Sequence, residues 1–569
     1  MKEALSTPYL DDMDKTTPWN EYPRPSMVRG SFLCLNGLWD FCIGGENAPT
    51  EYTEKILIPF PPESKLSGVA KEVPQKSYLH YRRKFNVTED FLSDRFILHF
   101  GAVDTLCDVY LNGVKVMHHE GGYLPFSVDC TKVVLQGENE LYLCVRDEIS
   151  PIYPYGKQTK SRGGMWYTPV SGIWQTVWAE AVVDEYIKKI KINSSMSSVT
   201  ISVDGGLEKK RLLINETAEV FEFSGDSITF TPREIKLWSP ENPYLYNFTL
   251  ISGQDRIDSY FALREIGSAD FEGVAKLMLN GKPYLFNGLL DQGYFPDGIF
   301  LPATSRGYED DILHAKSLGF NMLRKHIKVE PEIFYHLCDK LGMVVFQDMV
   351  NNAKYSFLFD TALPTVGMKR FPDKILHRNK RAREIFREHS LAEMDHLHNF
   401  PSILYYTVFN EGWGQFCADE MYEVVKSHDS TRIIDATSGW FIQSKSDVDS
   451  HHIYFKPLKI KKSSGRPVVI SEFGGYSHRV SGHLFGKDNY GYRLYKDQEE
   501  YEEAIIRLYT DEVLPLVEHG VSAFVYTQIS DVEDETNGLL TYDRKVVKVD
   551  EAKIRSAMDK LYSVYNNIR

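Results

Sequence analysis

Cysteine is scarce and unevenly spaced: seven in 569 residues, an odd number with no CxxC pair. That excludes a disulfide framework and a zinc ribbon. Long apolar runs are missing too, since nothing approaches the ~18 residues of a membrane-spanning helix. The opening MKEALSTPYLDDMDK is polar and acidic and has no apolar core of a secretory signal. Basic residues fall short of acidic ones, 65 against 79, which leaves a formal net charge of −14. A nucleic acid partner needs a basic surface to displace counterions, so this balance argues against one. The chain is therefore expected to be cytoplasmic, with no nucleic acid and no membrane partner. In that compartment the Asn-x-Ser/Thr triplets at Asn86, Asn193, Asn215 and Asn247 are chance matches.

What is plentiful is aromatic: 34 Tyr, 32 Phe and 8 Trp. Such residues suit β-strands and also apolar faces that pack against sugars. Hydrophobic and charged fractions, 43% and 25%, are those of a globular protein with real cores. At ~150 residues per domain the length corresponds to about four domains, though one α/β barrel can take ~250.

Periodicity divides the chain. The first part alternates: 95-RFILHF-100, then 104-DTLCDVYL-111, which meets Asn112-Gly113 and returns as 114-VKVMHH-119. Asn-Gly between two strand patterns signals a two-residue hairpin. With 140-ELYLCVRD-147 and 173-IWQTVWAEAVV-183 the pattern is a β-sandwich over residues 1–183. Residues 184–266 carry a second set of short strands, enough for one small sandwich. The Pro-rich, aromatic 237-LWSPENPYLY-246 is expected to bend across a sheet edge.

Over 267–569 eight apolar strand candidates follow: 284-YLFNG-288, 321-NMLRKH-326, 343-MVVFQD-348, 403-ILYYTVFN-410, 432-RIIDAT-437, 451-HHIYF-455, 467-PVVISEF-473 and 523-AFVYTQI-529. Helical patterns separate most of them, at Tyr308–Leu318, Pro331–Leu341, Arg381–His398, Ala418–Ser427 and Glu499–His519. Eight such units predict a (β/α)₈ barrel, with 360–378 as a long loop over its mouth.

Catalytic groups of such a barrel gather at the C-terminal ends of its strands. Those ends carry Arg324 and His326, Asp348, Asn410 and Glu411, His451, His452 and Tyr454, Glu472, and Tyr526 with Gln528. Polar groups closing apolar strands need partners, and a shared site supplies them. Two carboxylates facing one cavity, Glu411 and Glu472, can divide the acid and nucleophile roles of glycosidic cleavage. The plainer alternative is that each merely caps a strand and pairs with an arginine. Asn410 is placed to hold a sugar hydroxyl, and Tyr454 to donate to Glu472. Arg324 needs an acidic partner, and both glutamates are candidates. Trp413 and Trp440 follow strands four and five, either as stacking faces for a pyranose or as rim packing. The histidines lack the spacing of a metal site, so hydroxyl binding or a structural role is expected of them. Gly474-Gly475 reads as a tight turn.

The segments 403-ILYYTVFNEGWGQF-416 and 467-PVVISEFGGYS-477 resemble the acid/base and nucleophile segments of glycoside hydrolase family 2. So do 101-GAVDTLCDVYLNGVKV-116 and 163-GGMWYTPVSGIWQTVW-178 of its jelly-roll domain, 237-LWSPENPYLY-246 of its immunoglobulin-like domain, and 319-GFNMLRKH-326 of its barrel. The resemblance implies three domains: jelly roll (1–183), immunoglobulin-like sandwich (184–266) and catalytic TIM barrel (267–569). It also implies a retaining mechanism with Glu411 as acid/base and Glu472 as nucleophile.

Departures bear on the sugar. Family members with a magnesium site carry acidic and histidine ligands after strand three; here 347-QDMVNNAKY-355 has Asp348 alone, so no metal and no cofactor are expected. The β-glucuronidases carry an Asn-x-Lys element near the last strand, whereas Asn537 has leucine two positions on. After strand one, 287-NGLLDQGYFPDG-298 offers Asp291 for a sugar hydroxyl. The expected function is an exo-acting retaining β-glycosidase, β-galactosidase-like, taking a small carbohydrate substrate. The expected substrate-binding residues are Asp291, Arg324, His326, Asp348, Asn410, Trp413, Trp440, Tyr454 and Tyr526. A uronidase-like specificity and a carbohydrate-binding protein on an inactive scaffold are the alternatives, and a homo-oligomer stays open.

Overall fold

The computed structural model describes residues 5–567, apart from 357, 359, 361–362, 364–371 and 461–463. Much of the loop expected at 360–378 therefore lies outside the described residues; within it, Asp373–Ile375 is a single 3₁₀ turn. Among the described residues no helix is long and apolar enough to cross a membrane. All seven cysteines are free thiols.

The first sandwich packs a four-stranded against a six-stranded antiparallel sheet. Its hairpin joins Leu106–Leu111 to Val114–Glu120 through Asn112 and Gly113, whose φ values of 50° and 78° are those a type I′ turn requires. Alternation buries Trp39, Phe41, Leu79, Tyr81, Val109 and Leu143 between the sheets. The second sandwich pairs a three-stranded with a four-stranded sheet around Ile190, Ile201, Leu212, Phe248 and Ile257.

Two segments cross between these bodies. Residues 5–30 leave the first sandwich: Thr7 bonds Asp297 of the barrel at 2.6 Å, and Val28 pairs with Asp258 of the second sandwich. Within 237–246, Trp238 is fully buried and its indole N–H donates to the Asp339 carbonyl at 2.9 Å. That stretch bolts the second sandwich to the barrel, where the sequence reading placed it at a sheet edge.

The barrel has all eight expected strands, Phe286–Asp291, Met322–Lys325, Val344–Asp348, Ile403–Asn410, Ile433–Ser438, Asp449–Ile453, Val468–Gly474 and Ala523–Thr527. They run parallel in one sheet that starts at strand five, passes through four, three, two, one, eight and seven, and ends at strand six. Strands five and six share no backbone ladder; Ser438 and Ser450 face each other across that seam, their hydroxyls 3.4 Å apart. Helices Arg306–Ser317, Glu332–Leu341, Lys380–Leu397 and Ala418–His428 follow the first four barrel strands. No helix appears among the described residues between strands five and six or between six and seven, a departure from the regular alternation.

Within its pairing on either side, strand seven carries one unmatched residue. Its pairing slips between His451/His452 on one side and between Ile470/Phe473 on the other. A bulge of this kind re-aims side chains locally. Here it sets Glu472 opposite His452.

Candidate active site

The site grows from Arg324, whose guanidinium is closed to solvent at the end of strand two. Its Nε donates to Asp348 Oδ1 at 2.9 Å, Nη1 to Glu472 Oε1 at 3.0 Å, and Nη2 to Asn410 Oδ1 at 2.9 Å. One planar fork thus ties the ends of strands three, four and seven. Of the two glutamates the sequence reading offered Arg324, it takes Glu472. Asp348 also accepts from His326 Nδ1 at 2.7 Å. Burial works to raise Asp348, but Arg324 and His326 outweigh it and hold the carboxyl below its ordinary range.

Glu472 is the most constrained group. The Tyr454 hydroxyl donates to its Oε2 at 2.5 Å and lies 2.9 Å from Thr527 Oγ1. Burial alone would lift the Glu472 carboxyl; the Arg324 charge and the Tyr454 bond work against it and hold the group below the ordinary carboxylate range. An ionised, fixed carboxylate results. The glycine pair after it makes room for its supports. Gly474 and Gly475 both have positive φ, and a Cβ on them would stand 2.4 Å from the Tyr526 ring and 2.2 Å from the Tyr492 ring. Tyr492 stacks on Tyr454, centroids 3.8 Å apart.

Glu411 ends strand four with a left-handed φ of 53°, and its N–H donates to the Ser438 carbonyl at 3.0 Å. Its side chain is 15% exposed against 6% for Glu472, so it meets the opening. His452 stands between them, its Nδ1 2.8 Å from Glu411 Oε1 and 3.5 Å from Glu472 Oε2. One oxygen of each carboxyl and this nitrogen lie within 4.8 Å of one another.

That trio is also the one cluster with metal-ligand spacing among the described residues. Its nitrogen faces a carboxylate oxygen at hydrogen-bond distance, an arrangement held by a proton between them, which a cation would have to displace to bind. The residues suit proton transfer.

The structure gathers Arg324, His326, Asp348, Asn410, Glu411, Tyr454 and Glu472 in one place, with Trp440 half-buried beside them, 6.3 Å from the His452 ring. Three expected residues stand elsewhere. Asp291 spends Oδ2 on Lys325 at 2.6 Å and Oδ1 on the Gly293 N–H at 2.8 Å, inside a buried network with Glu330. Trp413 is 4% exposed, wedged against Tyr155, Trp166 and Tyr355, so it packs the rim. Tyr526 is wholly buried between Phe473 and Tyr509, and its neighbour Thr527 reaches Tyr454 instead.

Sequence reasoning missed several contributors. His452 was one of two adjacent histidines, and alternation alone says only that one of them faces inward. Lys157, Tyr167 and Trp166 come from the exit segment of the first sandwich, remote in sequence. Tyr167 donates to Glu535, which burial pushes upward and Lys157 pulls back. The Lys157 charge acts with burial to lower His326.

Comparison with known proteins follows this architecture. Residues 59–173 match "Glycosyl hydrolase 2 galactose-binding domain-like", 176–264 match "Glycosyl hydrolases family 2", and 273–569 match "Glycosyl hydrolases family 2, TIM barrel domain". A β-galactosidase of Thermoanaerobacter pseudethanolicus is 28% identical over 49% of this chain and 40% of its own length. One from Halalkalibacterium halodurans is 24% identical over 83% of this chain and 48% of its own. The chain thus spans about half the length of the curated relatives it matches. Among solved structures, a β-glucuronidase from an uncultured Clostridium superposes with a TM-score of 0.73 at 19% identity, covering 94% of this chain and 99% of that one.

Proposed function

The chain belongs to glycoside hydrolase family 2, and from that premise we propose that it is an exo-acting β-glycosidase working by double displacement with retention. The observation that carries this reading is the closeness of Glu411 and Glu472, with carboxyl oxygens within 4.8 Å. Retaining enzymes keep the two groups ~5–5.5 Å apart, whereas inverting ones hold them ~6.5–9.5 Å apart to admit a water.

In the first step Glu472 attacks the anomeric carbon while Glu411 gives its proton to the departing glycosidic oxygen. The glycosyl-enzyme forms and the aglycone leaves as an alcohol. In the second, Glu411 takes a proton from water, the water oxygen bonds the anomeric carbon, and Glu472 departs as a carboxylate. Arg324 and Tyr454 hold charge on Glu472 at start and finish. Asn410 and His326 present polar edges to the sugar.

For the sugar, a β-galactoside is proposed first, in keeping with the β-galactosidases among the similar proteins. A β-linked uronic acid is the second reading, favoured by Lys157: its charge reaches both His326 and Glu535 at the wall of the site. A panel of 4-nitrophenyl β-glycosides tests the proposal. Turnover of one member with kinetics abolished by Glu472→Gln supports it, and the preferred member separates galactoside from uronide. Binding of sugars with no turnover of any would overturn it in favour of a binding protein.

A further inference from the structure

His452 has no part in the two steps above, yet its side chain is wholly enclosed between both catalytic carboxyls. Its ring is fixed from several sides. The bulge of strand seven brings Glu472 opposite it, and a Cβ at Gly439 would stand 2.3 Å from its Cγ. The ring therefore lies flat on backbone that no side chain lifts away.

Its neighbours determine its protons. Nε2 faces the Ser438 hydroxyl at 2.9 Å and Arg324 Nη1 at 3.4 Å. Nη1 spends its two hydrogens on Glu472 Oε1 and the Ser471 carbonyl and has none left for Nε2, but the Ser438 hydroxyl can donate there, while Nδ1 faces a carboxyl oxygen of Glu411 and one of the ionised Glu472, both acceptors that call for a hydrogen. The ring hydrogen accordingly sits on Nδ1, aimed at Glu411 Oε1 2.8 Å away. Strands five and four are thereby joined through one imidazole of strand six, across the seam where the barrel has no ladder.

We infer that His452 is a positioning residue for the acid/base: by donating from Nδ1 to Glu411 Oε1 it reserves Oε2 for the proton exchanged with the substrate. The inference rests on the assignment of Glu411 made above. A carboxyl with both oxygens free rotates and presents either one, with or without its proton. With Oε1 held as an acceptor, the acid proton is carried on Oε2, and when the glycosidic C–O bond breaks it passes from there to the leaving oxygen. In the return step the same Oε2 accepts the proton of the attacking water. Nothing covalent happens at His452.

The test exploits shape. Asparagine places its amide N–H where Nδ1–H stands, and leucine has nearly the same volume without a donor. His452→Asn and His452→Leu are compared with parent and Glu411→Ala on two β-glycosides of the sugar the enzyme prefers, one with 2,4-dinitrophenol and one with an alkyl alcohol as leaving group. Acid help is worth roughly 10²–10⁴-fold where the leaving oxygen is basic and little where it is not. His452→Leu is expected to lose at least about tenfold more on the alkyl glycoside than on the activated one, a muted copy of Glu411→Ala, while His452→Asn recovers most of that difference. Equal losses on both substrates in His452→Leu, or an Asn variant as poor as the Leu one on the alkyl glycoside, would overturn the inference. Should neither variant fold, Ser438→Ala removes the hydroxyl that fixes the tautomer: a loss confined to the alkyl glycoside supports the role, and a uniform loss or none contradicts it. If Glu411→Ala itself shows no dependence on leaving group, the acid/base assignment has failed, which is a separate result.

Discussion

Arg324 Nη1 donates to Glu472 Oε1 at 3.0 Å, with only 1% and 6% of the two side chains exposed. In that enclosure the pair survives because each member is fully engaged: the arginine with Asp348 and Asn410, the glutamate with Tyr454. Removing one partner of such a pair strands the other charge, at a cost of about 3–5 kcal/mol. Arg324→Ala is expected to lower the melting temperature by several degrees and to cut kcat. Arg324→Lys keeps the charge but cannot reach three acceptors at once, so it should keep more stability than activity. Melting curves alongside kcat for both variants check this; a Lys variant with parental kcat would show that the fork geometry is unimportant.

Tyr454→Phe removes the shortest of the bonds on Glu472 while leaving the ring stack on Tyr492 in place. The Glu472 carboxyl, held below the ordinary carboxylate range, then rises. Attack needs the ionised form, so activity is lost as pH falls through the value of this group, and the acid limb of kcat/KM should move to higher pH. The rate at neutral pH should drop roughly 10²-fold, as for loss of one well-aimed donor. A pH profile with an unmoved acid limb would contradict the role given to Tyr454.

A different carboxyl governs stability. Ser171 Oγ lies 2.6 Å from Glu63 Oε1 and 2.9 Å from Asp147 Oδ2, yet it has one hydrogen to give. One of the two carboxyls must therefore donate, and burial pushes Glu63 up to about 8. A raised carboxyl stabilises the fold fully below its unfolded value near 4.5 and loses that contribution as pH rises through about 8. The melting temperature should fall between pH 5 and 8 in the parent and fall less in Glu63→Gln. Parallel slopes in the two proteins would contradict protonation at Glu63.

Activity is expected to survive exhaustive chelation. Asp348 is committed to Arg324 and His326, and the Glu411–His452–Glu472 trio is arranged around a proton. Zinc should instead inhibit, since it competes for that proton's place, and EDTA should reverse the inhibition. A large loss on chelation that magnesium restores would show a metal site built from other residues.

Most of the barrel strands were legible because they are apolar runs closed by polar residues and are buried at every position, as in strands four, five and seven; strand six, Asp449–Ile453, is polar and only partly buried, and its start lies two residues before the expected one. What was illegible depended on geometry one residue wide. The bulge in strand seven decides that His452 meets the carboxylates, and the facing of strand eight puts Thr527 rather than Tyr526 toward Tyr454. Asp291 was harder to read for another reason: its partner Lys325, shared with Glu330, comes from the neighbouring strand, and charge pairing inside a barrel leaves no trace in spacing. For Trp413 the sequence leaves stacking face and rim packing both open, and the contact with Trp166, which belongs to the first sandwich, is what makes it rim packing.

With Glu411 and Glu472 carboxyl oxygens within 4.8 Å, the double displacement proposed for them leaves its mark on the configuration of the product. Hydrolysis of the preferred 4-nitrophenyl β-glycoside is followed by proton NMR from the first seconds. The β anomer of the free sugar is expected first, with the α anomer growing in later by mutarotation; an α anomer formed first would mean inversion and rule out a glycosyl-enzyme on Glu472.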